Sequence, residues 1–138
     1  MRFLFPFILV GVIPTQAATL DLAPGNYTVA SQIILPHLDA MRREVETSQR
    51  CVTGPTPREL FSVFDQPALR GCDFAFPRAT TQAVEYVLRC QSARVATGTL
   101  TLQRAGEDTV GVAAIKMGGK NMTFTQRVVA RRVGACAE

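Results

Sequence analysis

Residues 72–90 read CDFAFPRATTQAVEYVLRC, nineteen residues with a cysteine at each end. Going out, Cys72, Phe74 and Phe76 alternate with Asp73, Ala75 and Pro77; coming back, Val84, Tyr86, Leu88 and Cys90 alternate with Glu85, Val87 and Arg89. Period-two alternation on both sides of a polar centre is the pattern of a β-hairpin. With the turn centred on Thr81, positions n and 162 − n face one another, which sets Cys72 against Cys90, Phe74 against Leu88 and Phe76 against Tyr86. A slip of one residue would throw one apolar row to the opposite face. The stretch therefore predicts a hairpin stapled by its own cysteines.

The chain has four cysteines, and pairing Cys72 with Cys90 leaves Cys51 for Cys136. A redox pair would favour a close Cys-x-x-Cys, and a structural zinc site would want closely spaced ligand pairs. Neither spacing occurs, so two disulfides are expected, with no metal and no cofactor. Disulfides in turn imply an oxidising compartment. Met1 and Arg2 precede the apolar run FLFPFILVGVI, Phe3–Ile13, and small residues at Thr15 and Ala17 follow. One positive charge, a short apolar core and a small-residue cut site predict a signal peptide over residues 1–17. A bilayer-spanning helix needs about 20 apolar residues, which this run lacks. Residues 18–138 are then a single secreted β domain by length.

Working outward, further segments alternate. NYTVASQII puts Tyr27, Val29 and Ile33 on one face, and REVETSQRCV puts Val45 and Cys51 opposite Glu44, Glu46, Ser48 and Arg50. After the hairpin come TGTLTLQR, TVGVAAIKM and MTFTQRVVARRV, the last alternating Met122, Phe124, Val128 and Ala130 with Thr123, Thr125, Arg127 and Arg131. Between the second strand and the hairpin, TGPTPRELFSVFDQP predicts one short helix. Thr56 would cap it, Pro57 would open it, Glu59 would reach back to the cap, and Pro67 would end it. Leu60, Phe61 and Phe64 fall on one side of that helix, so it must dock on the sheet as a plug in the core or as a lid over a pocket. The expected fold is mainly β: an antiparallel up-and-down sheet of about seven strands curled into a barrel, half-barrel or sandwich, with one short helix and two disulfides.

Chemistry is sparse. His37 is the single histidine, and though Asp39 is near in sequence, no nucleophile elbow accompanies it. Met41, Met117 and Met122 are too dispersed for a copper site. Asn26 and Asn121 fit a glycosylation acceptor pattern, but both open strands, where asparagine is a natural turn residue. The formal charge of +4 falls to +3 once Arg2 is removed with the leader, a solubility charge and not a nucleic-acid footprint. The cluster Arg127, Arg131 and Arg132 is read as a solvated strand face.

APGNYTVAS, QRCVT, the central Cys72 and Cys90, MGGKNMTF and the terminal RRVGAC follow in an order that resembles the bacterial envelope family known as domain of unknown function 3617. Members often carry tryptophan at the place of Tyr27 and an acidic residue at that of Ala135, neither of which affects the scaffold. The resemblance implies a secreted or periplasmic domain and brings no catalytic residues. The reading is a non-enzymatic binding or accessory domain engaging an envelope protein partner, without nucleic acid. A second reading is a carrier of a small apolar ligand between sheet and helix. The candidate ligand-facing or core residues are Phe61, Phe64, Phe74, Phe76, Tyr86, Leu88 and Phe124. The third, an enzyme using His37, has the least support.

Overall fold

The structure is a computed structural model that describes residues 11, 22–36, 44–54, 57–80, 82–119 and 122–137. The signal-peptide reading of residues 1–17, and those of His37, Asp39, Met41, Thr56, Thr81 and Asn121, rest on residues outside these. The strands are β1 (Gly25–Ile34), β2 (Glu46–Val52), β3 (Asp73–Ala79), β4 (Ala83–Arg89), β5 (Ala96–Ala105), β6 (Asp108–Met117) and β7 (Met122–Gly134). They form one seven-stranded sheet in the order β2-β1-β7-β6-β5-β4-β3, with every pairing antiparallel.

Three expectations about architecture need correction. No ladder joins β2 to β3 among the described residues, so the sheet is open and not a closed barrel, and a single sheet is not a sandwich. Every pair of successive strands except β2 and β3 is laddered, and β1 also pairs with the last strand, β7, so the order is that of an up-and-down barrel left open between β2 and β3. The place of β1 between β2 and β7 hydrogen-bonds both of its edges, and this strand carries the buried Tyr27 and Val29. The Cys51–Cys136 disulfide, with a Cα separation of 5.5 Å, reaches across β1 to hold the C-terminal tail to β2. The third correction is the helix. Residues 57–69 form three separate 3-10 turns, Pro57–Leu60, Ser62–Asp65 and Pro67–Leu69. Phe61 interrupts them in extended conformation (φ −109°, ψ 107°), and so does Gln66 (φ −64°, ψ 136°). Gln66 precedes Pro67, whose ring disfavours helical dihedrals in the residue before it. Phe61 is held by packing described below. The Glu59 carboxylate accepts from the Thr53 amide at 2.6 Å and the Thr53 hydroxyl at 2.8 Å.

The topology gives the turn segment its path. β2 and β3 are the two edges, and the sheet curls so that both come against the first turn, where Arg50 of β2 donates to the Glu59 carbonyl and Arg58 donates to the Cys72 carbonyl beside β3. The connecting residues 53–72 must run from one edge to the other, and they do so over one face of the sheet. That inner face carries the core: Val29, Leu100, Leu102, Ala113, Ile115, Val128 and Ala130 from the sheet, and Leu60, Phe61, Val63, Phe64 and Leu69 from the turns. Each large side chain so buried contributes about 1.5–3 kcal/mol. At the centre, a Cβ on Gly111 of β6 would lie 2.7 Å from Cζ of Phe61, so the ring occupies the space a side chain would take. Only glycine at 111 lets the turn segment approach this closely.

The opening hairpin forms as read as far as its middle. Asp73↔Arg89, Phe74↔Leu88 and Ala75↔Val87 pair in the expected register, and Cys72 and Cys90 are bonded with a Cα separation of 4.0 Å. Then the register shifts, and Arg78 pairs with Glu85 and Ala79 with Val84. A β-bulge at Phe76 and Pro77 removes Phe76 from its expected place opposite Tyr86. Phe76 takes φ 55°, the only positive φ of a non-glycine residue among those described, and is 67% exposed. Such a conformation costs a bulky residue on the order of 1–3 kcal/mol.

On β2 the expected faces are reversed. Arg50, Ser48 and Glu46 lie opposite Tyr27, Val29 and Ser31, so the polar row shares the inner face. Val52 is the buried residue, whereas Val45 and Cys51 are exposed. The reason is that Cys51 must turn toward Cys136, and Arg50 has work on the inner side. Arg50 donates to the Glu59 carbonyl at 2.6 Å and to both carboxylate oxygens of Asp65 at 2.9 and 3.1 Å.

Candidate functional site

Where β1 ends and the β6–β7 hairpin turns, the turn segment does not cover the whole inner face. Ile33 and Leu35 line one side of the uncovered groove, and Met117, Met122 and Phe124 line its floor. Val63, Gln66, Ala68 and Leu69 of the second and third turns form the remaining wall. Its volume is about 400 Å³. Sequence spacing explains the floor: Met117 pairs with Met122 and Ile115 with Phe124, so the hairpin sets these side chains side by side on the inner face. Gln66 is the single polar residue in this lining, and among the described lining residues there is no acid, base or nucleophile.

The wall is held in place by Gln126, a fully buried polar residue on the inner face of β7. Its Nε2 donates to the hydroxyls of Ser31 (2.8 Å) and Ser62 (2.9 Å), and its Oε1 accepts from the Val63 amide at 3.3 Å. One side chain thus ties β1, β7 and the second turn together. From the β2 edge, Arg50 grips Asp65, and hydrogen bonding from its guanidinium, followed in smaller measure by its charge, holds the Asp65 carboxyl below its ordinary pKa. Arg58 donates to the carbonyls of Cys72 (2.7 Å) and Arg70, fastening the far end of the segment. The buried, fully satisfied Gln126 fixes the second turn, and the more exposed Arg50 and Arg58 contacts hold the segment at its two edges, which makes it a rigid wall.

The sequence candidates divide clearly. Phe61, Phe64, Phe74 and Leu88 are buried in the core, and Tyr86 packs against it. The rings of Phe64 and Phe74 meet edge to face at 4.9 Å, with Phe61 6.4 Å from each. Phe74 and Tyr86 lie 6.3 Å apart. Of the seven only Phe124 lines the groove, and Phe76 points outward. Sequence reasoning missed Ile33, Leu35, Met117, Met122 and Gln126 as groups that act together. Gln126 did leave a signal, a lone amide in the apolar row between Phe124 and Val128. Two of the clustered C-terminal arginines serve the scaffold: Arg131 pairs with Asp108 at 2.7 Å, and Arg132 donates to the Pro24 carbonyl at 3.0 Å. Among the described residues no group of three or more His, Cys, Asp or Glu could hold a metal ion, and no helix is long and apolar enough to cross a membrane.

These features define a class of protein: a small, open antiparallel sheet, stapled by two disulfides, with a turn segment packed across one face and an apolar groove at its end. A family profile described as Protein of unknown function (DUF3617) matches residues 22–136, and the chain belongs to that family. No curated protein and no solved structure matches the chain.

Proposed function

We propose that this protein is a non-enzymatic binding domain of an exported, oxidising compartment, and that its groove takes a small apolar ligand. The observation that carries this reading is the groove itself, about 400 Å³ of space lined by seven aliphatic or thioether side chains, one aromatic ring and one amide. Ligand sites are typically concave, mostly apolar and sparing in polar groups, with volumes of about 300–1,000 Å³. Met117 and Met122 suit a flexible ligand, because unbranched thioether chains repack around different shapes. The rigid wall supports binding by pre-organisation, since little ordering accompanies ligand entry. The two disulfides support export.

Native mass spectrometry of protein purified from its own host tests the reading, together with displacement of the fluorescent apolar probe N-phenyl-1-naphthylamine. A small mass lost on denaturation and saturable probe binding are expected. Met122→Glu, which puts a charge on the half-exposed part of the groove floor, should weaken probe binding about tenfold or more. Probe binding equal in wild type and Met122→Glu would refute the groove as the site. An envelope protein partner is the second reading, and the exposed apolar side chains of Phe76 and Val87, on the outer face of the sheet, are what favour it.

A further inference from the structure

Phe76 has an unusual position. In unbroken register its ring would face Tyr86 on the inner side; the bulge turns it to the outer face of edge strand β3. Bulges and prolines do blunt sheet edges against unwanted pairing. That purpose requires no aromatic ring, and the left-handed conformation at Phe76 favours glycine or asparagine. The chain forgoes both the burial of the ring and a relaxed backbone, and the result is an aromatic surface open to solvent.

The surroundings of the ring are ordered by the sheet. Phe76, Arg78, Glu85, Val87, Thr99 and Thr101 border a shallow depression of about 250 Å³. Arg78 pairs with Glu85, Glu85 with Thr101, and Val87 with Thr99, so a polar row runs across three strands beside an exposed aliphatic side chain. The Arg89 guanidinium lies 5.9 Å from the centre of the Phe76 ring. The depression thus combines an aromatic surface, the guanidinium groups of Arg78 and Arg89, the carboxylate of Glu85, two hydroxyl-bearing residues and one apolar spot.

We propose that this depression is a saccharide-binding subsite, separate from the apolar groove, in which Phe76 is the stacking platform. The axial C–H bonds of a pyranose are weakly positive and fit the negative face of an aromatic ring. Hydroxyl groups that both donate and accept match a rim of guanidinium, carboxylate and threonine. Val87 suits a methyl-bearing sugar such as an N-acetylhexosamine. The bulge is the device that re-aims the ring, which is a recognised use of that irregularity.

The test is an NMR titration of the ¹⁵N-labelled, disulfide-bonded protein with chitotriose, with maltotriose as the control that lacks acetamido groups. Saturable amide shifts centred on Phe76, Val87, Thr99 and Thr101 are expected for chitotriose, and weaker shifts for maltotriose. Phe76→Gly removes the ring and relieves the backbone, so it should lose about tenfold or more in affinity while its Tm rises by about 3 °C. A gain in stability accompanied by loss of binding separates the ring's function from any structural role. No saturable shifts, shifts at Met117 and Met122 instead, or unchanged affinity in Phe76→Gly would each overturn the proposal. Failure of both sugars, with photo-cross-linking at Val87 trapping a protein in wild type but not in Phe76→Gly, would assign the patch to a protein and overturn the saccharide.

Discussion

Replacing Gly111 with alanine adds one methyl group at the point where the turn segment meets the sheet. The new Cβ would lie 2.7 Å from Phe61 Cζ, 3.0 Å from Val128 Cγ2 and 3.1 Å from Leu102 Cδ2. All three neighbours are at most 1% exposed, so none can swing into solvent to make room. Overpacking of this kind costs about 1–3 kcal/mol. Exchanging glycine for alanine in a strand restores about 0.5–1 kcal/mol through the less flexible unfolded chain. The net loss is about 1–2 kcal/mol, or a fall in Tm of about 3–8 °C for a domain of this length. Thermal and urea melts under oxidising conditions measure it. Phe61→Leu shortens the side chain that meets the new methyl, so the double variant should be more stable than the sum of the single effects by about 1 kcal/mol. Additive effects, or a Gly111→Ala variant at least as stable as wild type, would mean that Phe61 does not rest on Gly111.

The two disulfides should differ in weight: with sequence separations of 85 and 18, loop closure gives about 4.6 kcal/mol for Cys51–Cys136 and about 3.2 kcal/mol for Cys72–Cys90. Serine pairs at each bridge, compared by urea midpoint, check that order, and the reverse order would contradict it. Gln126→Leu leaves the Val63 amide and two serine hydroxyls without their partner, and should cost about 2–3 kcal/mol. A loss below 0.5 kcal/mol on that order-of-magnitude scale would show that Gln126 does not anchor the segment. Hydrogen bonding from Arg50 lowers the Asp65 pKa from 3.8, so the folded state binds fewer protons than the unfolded chain in that interval. The resulting stabilisation is present above about pH 4 and is lost as pH falls through the lowered value. Asp65→Asn should flatten the acid limb of the stability curve, and parallel limbs in the two proteins would refute the pairing.

Read along the chain, period-two alternation was enough to locate all seven strands, because each strand buries one face and side chains alternate by geometry. The same register, with four cysteines and no close metal spacing, determined both disulfides. The family resemblance was equally legible, being a matter of residues in order. Strand order was legible where short connections join successive strands, but the β1–β7 pairing and the opening between β2 and β3 were not, since they depend on contacts between distant parts of the chain. Local propensity favoured one helix at Pro57, but packing divided it: Phe61 had to extend into the space above Gly111, and Pro67 straightened Gln66. The faces of β2 could not be read from polarity, because Arg50 earns its inward position only when Asp65 and the Glu59 carbonyl arrive from elsewhere. Phe76 fits the apolar row of the hairpin by sequence, and a one-residue bulge, a backbone event with no pattern of its own, sends it outside. The groove exists only because the turn segment stops short of the β6–β7 hairpin. Alternation states which side chains share a face; how much of that face the rest of the chain covers is decided by tertiary packing.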